Sequence, residues 1–458
     1  MTKNFLNIAF VLIAFLFSVF ATAQQGIENT EKTRILFILD ASKSMSGQWQ
    51  GQEKFEIATS VLSKVLDSLK GTENLEVALR VYGHQRNYPP QNCNDSKLEI
   101  PFNPNNYERI KQRLKYIQPR GTSPIAISLE RAKSDFGNCS NCRNVIILIT
   151  DGIEECGGDL CEVSAKLQKE GIAIKPFVIG IGMDTRAEFE CAGTYFNAPS
   201  SYRFSKALNI IITKVLSKTS LQVNLLDKNG DPKETNVNMV FTDLASGNVK
   251  YNFVHTLNHK GLPDTIVVDP LLDYKITLST LPPTKIDSFS ITDGKHNIIY
   301  ANCVRGNLKI NLKGDNPVEF KPAIIIKDLN NNIINIQALG NSIKYLAGNY
   351  KIDILTLPIT KIDKIEIEAD KTTNVNIDNP GILVAQKNIR GYGIIYQLVD
   401  DGQEHVISLN KNSSKSESVY LQPGNYRLVF RPLHSTQSVF TQVEDFKIIS
   451  AKTTKIKL

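Results

Sequence analysis

The chain has 458 residues, of which 22% are charged, and its formal net charge is +7 at pH 7. The positive charges are scattered, without a basic block, an interleaved aromatic platform or a known nucleic-acid motif, so the sequence argues against nucleic-acid binding. A single hydrophobic core rarely organises a chain of this length, and we expect two to four domains of about 100–200 residues each.

The first residues have the pattern of a secretory signal peptide. An apolar run from Phe5 to Phe20 follows a lysine, and Ala21-Thr22-Ala23 supplies the small residues of a cleavage site. We therefore expect residues 1–23 to be removed and the protein to be periplasmic, on the outer surface or secreted, with only indirect membrane contact. An uncleaved anchor is the alternative, but the run is shorter than the ~20 residues that span a bilayer.

Residues 32–218 alternate apolar runs with amphipathic segments, which is typical of an α/β domain with a doubly wound, Rossmann-like and mostly parallel sheet. The apolar runs predict buried strands at 35–39, 75–82, 145–149 and 177–181. Apolar residues at helical spacing predict helices at 54–70, 107–117, 125–132, 163–167 and 204–215. The strand at 177–181 is predicted to close the strand series.

The second half of the chain changes character and is repetitive. After Ser217, short apolar runs alternate with Asn, Asp, Gly and Pro, as in β-sandwiches. YKITLSTLPPTKID begins at Tyr274 and YKIDILTLPITKID begins at Tyr350, an interval of 350 − 274 = 76 residues, and Tyr426 of GNYRLVF follows at the same interval. We therefore predict three related β-sandwich modules, at 219–304, 305–379 and 380–458.

Oxygen-bearing side chains follow two of the predicted central strands. The segment 40–44, DASKS, ends the first strand, the pair 151–152, DG, ends the strand at 145–149, and the segment 121–124, GTSP, lies between them in sequence. Ligand sites form at the carboxyl ends of parallel strands. Two carboxylates and several hydroxyls suit a hard divalent cation, which keeps net positive character and an open position for an acidic group of another molecule.

In this order, DASKS, GTSP and ITDG resemble the DxSxS…T…D signature of von Willebrand factor A domains, over residues 32–218. The resemblance implies a metal-ion-dependent adhesion site in which Ser42 and Ser44 are direct ligands. Asp40 and Asp151 would bind the ion directly or through water. Mg²⁺ is the expected ion, with Mn²⁺ and Ca²⁺ as alternatives, and the expected partner is a protein that offers Asp, Glu or another acidic group.

The resemblance leaves the threonine position of the signature ambiguous. Ser123 stands two residues before the helix-opening Ile125, as the family residue does, and is the preferred ligand; Thr122 is the alternative. Ser123 could also serve as a plain helix N-cap before Pro124.

Six of the seven cysteines precede residue 200, and in an exported protein this clustering predicts disulfides within one domain. Cys303 is then the cysteine without a disulfide partner. The six are Cys93, Cys139, Cys142, Cys156, Cys161 and Cys191. The spacing of Cys139 and Cys142 before a strand favours a structural disulfide over a redox motif.

The stretch ITDGIEECGGDLCE resembles the DGxExCGGDPC loop of a bacterial exported subgroup of these domains, with Leu160 in place of proline. The resemblance places Cys156 and Cys161 on the rim of the metal pocket, and we expect a bridge between them. A zinc site is the alternative, which the absence of clustered histidines disfavours. Nearby, Glu154 and Glu155 could tune the charge of the pocket but are expected to be merely solvated, and His84 is expected to pack at a strand end.

No GxSxG, HExxH or P-loop motif occurs, so we predict no enzymatic activity. The leading hypothesis is an exported, metal-dependent binding or adhesion module carried on β domains. The alternative is a cell-envelope scaffold whose β modules make the contacts, with an A domain that does not depend on metal. A third hypothesis is a subunit that serves an enzyme, as the A domains of chelatases do. The oligomeric state is not predicted.

Overall fold

The computed structural model describes residues 31–139, 141–287, 289–314 and 320–458. They fall into two compact units. The first extends to Lys218 and includes Leu244–Asn248 and Asp269–Asp273, and the second holds Thr219–Asp243, Val249–Val268 and Tyr274–Leu458. The predicted signal peptide lies outside the described residues. Within the described part of the chain, no helix combines the length and apolar character that a membrane crossing requires.

The first unit is built around a six-stranded sheet in the order β5-β4-β1-β6-β7-β8. Its strands, with a small separate hairpin formed by β2 and β3, are β1 (Lys32–Asp40), β2 (Gln48–Trp49), β3 (Gln52–Glu53), β4 (Leu75–Tyr82), β5 (Ser96–Asn103), β6 (Cys142–Thr150), β7 (Phe177–Ile181) and β8 (Thr194–Ala198). All neighbours in the large sheet pair in parallel except β5, which is antiparallel to β4. The predicted mostly parallel sheet is confirmed.

The helices of this unit are α1 (Lys54–Ser68), α2 (Tyr107–Leu114), α3 (Ile125–Phe136), α4 (Leu160–Lys169), α5 (Arg186–Phe189) and α6 (Ser201–Leu216). The five predicted helices are present with bounds that differ by a few residues. The prediction that 177–181 closes the strand series is wrong, because β8 continues the sheet. Its sequence, TYFNA, mixes polar with aromatic residues at an edge position, so it lacks the continuous apolar run of a central strand.

Side chains of β1 alternate between two hydrophobic cores, one on each face of the sheet. Ile35, Phe37 and Leu39 pack with apolar residues of α1, α2 and α6. Leu36 and Ile38 face the other way and pack with α3 and α4. A strand that is buried on both faces must be apolar throughout until it reaches the edge, and so the polar residues that follow it stand at the end of the sheet.

The described residues of the second unit form three modules of seven strands each. The strands are β9 (Thr219–Leu226), β10 (Val237–Asp243), β11 (Val249–His255), β12 (Thr265–Val268), β13 (Tyr274–Leu278), β14 (Thr284–Ile286), β15 (His296–Asn302), β16 (Arg305–Leu312), β17 (Ile324–Lys327), β18 (Ile333–Gln337), β19 (Ser342–Leu346), β20 (Gly348–Ile354), β21 (Thr360–Ile367), β22 (Thr372–Ile377), β23 (Gly381–Gln386), β24 (Gly391–Val399), β25 (Gly402–Ser408), β26 (Glu417–Leu421), β27 (Gly424–Pro432), β28 (Gln442–Ile448) and β29 (Thr453–Lys457).

The three modules share one topology. In each, the first strand is the centre of a three-stranded sheet and pairs in parallel with the seventh strand, while the other four strands form an antiparallel sheet. The repeated tyrosines Tyr274, Tyr350 and Tyr426 are buried and lie in the fifth strand of their modules. The predicted β-sandwich architecture is confirmed, while the residue bounds of the individual modules stay a prediction.

A repeated loop joins consecutive modules of the second unit. Leu281 packs against the core of the second module, and its carbonyl accepts a hydrogen bond from Leu346 N at 2.7 Å. Leu357 packs in the same way against the core of the third module, and its carbonyl accepts from Gln422 N at 2.7 Å. The repeated Thr-Leu-Pro sequence therefore carries an apolar anchor from one module into the next.

Candidate metal centre

The predicted ligands lie at the carboxyl edge of the parallel strands. Asp40 is the last residue of β1, and Asp151 follows the last residue of β6. The loop after Asp40 is tied to the segment 121–124 by a parallel bridge between Ser42 and Gly121, with Lys43 N donating to Gly121 O at 2.8 Å. Two strand ends and one loop are thereby brought to a single pocket.

Asp40 is fully buried and held by two donors. Its Oδ1 accepts from Ser42 N at 2.7 Å, and its Oδ2 accepts from the Thr150 hydroxyl at 2.8 Å. Burial, and then the negative charge of Asp151, raise the pKa of Asp40 to about 6. The carboxylate is thus fixed in place, while burial and the neighbouring Asp151 disfavour its ionised form.

A chain of oxygen atoms connects the remaining ligands. The hydroxyls of Ser42 and Ser44 lie 2.9 Å apart, and the Ser44 hydroxyl donates to Asp151 Oδ1 at 2.6 Å. The Lys54 ammonium donates to Asp151 Oδ2, also at 2.6 Å. Asp40, Ser42, Ser44 and Asp151 therefore form one contiguous group, while Lys54 is a member of the site that the sequence analysis missed.

The hydroxyls of Ser123 and Thr122 point to different neighbours. A Cβ built on Gly152 would lie 3.9 Å from Ser123 Oγ and 4.0 Å from Ser44 Oγ, so both serine hydroxyls stand beside the backbone that follows Asp151. Thr122 Oγ1 instead accepts from Asn92 N at 3.1 Å. Thr122 thus anchors the loop that follows β4, whereas the choice of Ser123 as the metal ligand stays a prediction.

Glu154 and Glu155 organise the rim of the pocket, so the expectation that they are merely solvated is wrong. Glu155 Oε2 accepts from Ser123 N at 2.8 Å, and Glu154 Oε2 accepts from Ala126 N at 2.6 Å in the first turn of α3. The N-cap of α3 is Pro124, which makes no side-chain capping bond. The Ser123 hydroxyl therefore does not cap the helix, which was the alternative weighed from the sequence. Glu154, from the loop after β6, accepts the hydrogen bond of a backbone N–H in this first turn instead.

Three disulfides form in the first unit, and their pairing corrects the sequence analysis. The bridges are Cys93–Cys156, Cys139–Cys142 and Cys161–Cys191. The expected bridge between Cys156 and Cys161 is wrong. Cys161 lies in the first turn of α4, on the side of Cys191, whereas Cys156 belongs to the preceding loop and joins the loop after β4. Cys303 is free and buried, and burial raises its pKa to about 11.

His84 is buried just after β4 and is part of an ionic cluster. Its Nε2 lies 2.9 Å from Glu99 Oε1, and Arg113 Nε donates to Glu99 Oε2 at 2.5 Å. Burial acts to raise the pKa of Glu99, but hydrogen bonds from Arg113, His84 and Lys97 outweigh it and lower the pKa to about 2. This cluster fixes β5 against the loop that carries Cys93.

The donor set suits a hard divalent cation. It consists of two carboxylates and three hydroxyls, with no sulfur or nitrogen atom, and oxygen ligands of this kind fit Mg²⁺, Mn²⁺ or Ca²⁺. The described residues contain no cluster of three or more His, Cys, Asp and Glu side chains arranged for a metal. A site here would depend on the hydroxyls. The Lys54 ammonium on Asp151 shows that the pocket accommodates a positive charge.

Comparisons with known proteins place the first unit in a family. The family model of the von Willebrand factor type A domain matches residues 35–206. Uncharacterized protein YwmC of Bacillus subtilis (strain 168) is 32% identical over 166 residues, which are 35% of this chain and 71% of that protein. Uncharacterized protein YwmD of the same organism is 27% identical over 199 residues, 41% of this chain and 88% of that protein.

Two solved structures are similar at low scores. The pilus adhesin SpaC from Lactobacillus rhamnosus GG has a TM-score of 0.35 at 10% identity and covers 93% of this chain and 83% of its own. Proximal thread matrix protein 1 from the mussel byssus, with a zinc-occupied MIDAS motif, has a TM-score of 0.33 at 18% identity. The match covers 40% of this chain and 45% of that protein's chain. At these scores neither likeness bears on function. The domain match and the YwmC identity establish that the chain belongs to the family of proteins with a von Willebrand factor type A domain.

Proposed function

We propose that the first unit is a metal-dependent protein-binding module of an adhesion type. The residues that would hold a divalent cation are Asp40, Ser42, Ser44, Ser123 and Asp151. The observation that carries the proposal is the continuous hydrogen-bonded group that runs from Asp40 through Ser42 and Ser44 to Asp151 at the carboxyl edge of the sheet. The cation, Mg²⁺ first and Mn²⁺ or Ca²⁺ as alternatives, would supply an open coordination position for a carboxylate of a partner.

The ligands differ in how firmly the protein holds them. Asp40 is fixed by Thr150 and by the backbone of Ser42, and Asp151 is buried. Ser44 is exposed at the mouth of the pocket. The buried carboxylates would retain the ion, and the exposed side would face an incoming acidic group.

The surroundings of the pocket support an acidic protein partner. Tyr88, Ile153 and Met183 are 47%, 44% and 58% exposed, and they lie in the loops that follow β4, β6 and β7. The basic residues Lys43 and Arg86 are exposed in the loops after β1 and β4. A carboxylate flanked by apolar residues would meet apolar contacts and these two basic residues at this edge, beside the acidic side chains of Glu154 and Glu155.

The three disulfides support a proposal of export, because such bridges persist in oxidising compartments. We place the protein in the periplasm, on the outer surface or in the medium, within the exported subgroup that the DGxExCGGDxC loop suggests. The three β modules would act as a spacer for the binding head. No catalytic role is proposed.

The test is calorimetric titration of Mg²⁺, Mn²⁺ and Ca²⁺ into the chelator-stripped protein. The wild type is expected to bind one ion, and the double variant Asp40→Ala, Ser42→Ala none. Ser46→Ala is the matched control, because the Ser46 hydroxyl donates to Lys43 O outside the ligand group, and it should bind like the wild type. If the wild type binds no ion at millimolar concentrations, the metal-dependent function is refuted, and the scaffold alternative with contacts made by the β modules takes its place.

A further inference from the structure

Lys54 contacts one of the two carboxylates that the proposed function assigns to a metal ion. It is the first residue of α1, and its Nζ lies 2.6 Å from Asp151 Oδ2. The Asp151 side chain is fully buried, while that of Lys54 is 21% exposed. The contact joins residues 97 positions apart in sequence and neutralises one of the two carboxylates in the pocket.

The path of the lysine side chain is built into the local backbone. Lys54 N donates to Gly47 O at 3.0 Å, which sets the start of the helix beside the loop that carries Ser42 and Ser44. A Cβ built on Gly182 would lie 3.6 Å from both Lys54 Cε and Trp49 Nε1. The lysine stem therefore runs beside the backbone after β7 and the indole of Trp49 on its way to the carboxylate.

We infer that Lys54 is an internal counter-ion of the metal pocket, which competes with the divalent cation for Asp151 and leaves this carboxylate when the metal binds. The inference rests on the proposed function, since it concerns the regulation of that same site. Two carboxylates in a buried pocket repel each other, and the Lys54 ammonium relieves part of this repulsion.

Release of Lys54 on metal binding follows from charge and from side-chain flexibility. An ammonium and a divalent ion that share one carboxylate also repel each other at short range. A lysine has a flexible four-carbon stem and a strongly hydrated head, so it can withdraw into water without breaking the helix. Competition from Lys54 for Asp151 would thereby lower the affinity of the pocket for the metal ion.

The first measurement compares Mg²⁺ affinity in the wild type, Lys54→Met and Lys64→Met by calorimetry. Lys64 is an exposed lysine on the same helix and serves as the matched control. Lys54→Met is expected to bind Mg²⁺ about tenfold more tightly, or more, because a competing charge is gone. Lys64→Met should match the wild type. In chelator, Lys54→Met should melt at a lower temperature and gain more from added Mg²⁺.

The second measurement uses the wild-type protein and needs no variant to fold. Lysines are acetylated briefly with and without Mg²⁺, and the extent of modification at each is read by mass spectrometry. Lys54 should be modified more when Mg²⁺ is present, since its amine is released from Asp151, whereas Lys64 should be modified equally in both samples.

The outcomes separate the inference from the proposed function. If the wild type binds Mg²⁺ but Lys54→Met binds it equally or less tightly, and Lys54 labelling does not respond to Mg²⁺, the inference is overturned and the binding function stands. If neither the wild type nor Lys54→Met binds any of the three ions, the proposed function fails and the inference falls with it.

Discussion

The Cys93–Cys156 bridge should stabilise the first unit and preserve the shape of the metal pocket. It closes a loop with a sequence separation of 63 residues. By the chain-entropy relation, such a bridge contributes about 4 kcal/mol to the free energy of unfolding. The bridge also holds the loop after β4 against the loop that carries Glu155, whose carboxylate accepts from Ser123 N. Its removal should therefore lower both stability and metal affinity.

Cys161–Cys191 provides the matched comparison. Its sequence separation of 30 residues gives a similar contribution of about 3.6 kcal/mol, but it ties α4 to the segment after α5. The double variants Cys93→Ser, Cys156→Ser and Cys161→Ser, Cys191→Ser should thus lose comparable stability, while only the first should bind Mg²⁺ more weakly.

The assay follows denaturant unfolding by the fluorescence of Trp49, the single tryptophan of the sequence, which lies in the first unit. Calorimetry under native conditions gives the Mg²⁺ affinity of each variant. Equal Mg²⁺ affinity in the two variants would refute the argument that the Cys93–Cys156 bridge shapes the pocket. A stability loss below about 1 kcal/mol in both would refute the entropic estimate.

Three further predictions concern the ligand choice, the ionic cluster and the module junction. Ser123→Ala should weaken Mg²⁺ binding, measured by calorimetry in acetate buffer, about tenfold, with acetate standing in for a partner's carboxylate. Thr122→Val should leave the Mg²⁺ affinity unchanged, because of these two residues Ser123 is the one whose hydroxyl lies beside Gly152. The reverse result would make Thr122 the ligand. Lowering the pKa of Glu99 from 4.5 to about 2 corresponds to about 3 kcal/mol of stability, which is present above pH 4.5 and lost as the pH falls towards 2. The destabilisation caused by Glu99→Gln in denaturant unfolding should therefore shrink by more than half from pH 7 to pH 3. A destabilisation that does not depend on pH would contradict this origin. Leu357→Ala should lower the free energy of unfolding of the second unit by about 1–2 kcal/mol, measured by circular dichroism, because it removes a half-buried leucine side chain from the core of the next module. Leu329→Ala, at an exposed leucine, should have little effect. Equal losses in the two variants would show that Leu357 does not anchor the junction.

The central strands could be predicted because burial on both faces leaves a continuous apolar run. The predicted strands 75–82 and 177–181 agree with the observed bounds of β4 and β7. Strand β5 was missed because it lies at an edge, where the alternation of exposed and buried residues is irregular and Pro101 interrupts the run. The predicted helices were found for the same reason as the central strands, since one apolar stripe marks each of them.

The grouping of Asp40, Ser42, Ser44 and Asp151 could be anticipated because it depends only on which strands end at the same edge. The choice between Ser123 and Thr122 depends on the direction of a side chain, which sequence spacing does not determine. The cysteine pairing and the contact of Lys54 with Asp151 depend on distances between loops that are far apart in sequence. These features therefore required coordinates.

The contacts around the pocket divide it into a held part and a free part. Asp40 is held by Thr150, and the Ser123 segment is held by Glu155. Ser44 and Lys54, by contrast, are partly or largely open to solvent, and each donates a hydrogen bond to Asp151. A change in the charge at Asp151 would therefore move these two side chains first and leave the buried carboxylate of Asp40 in place. This asymmetry would let a partner at the mouth of the pocket sense the state of the site without any change in the sheet beneath it.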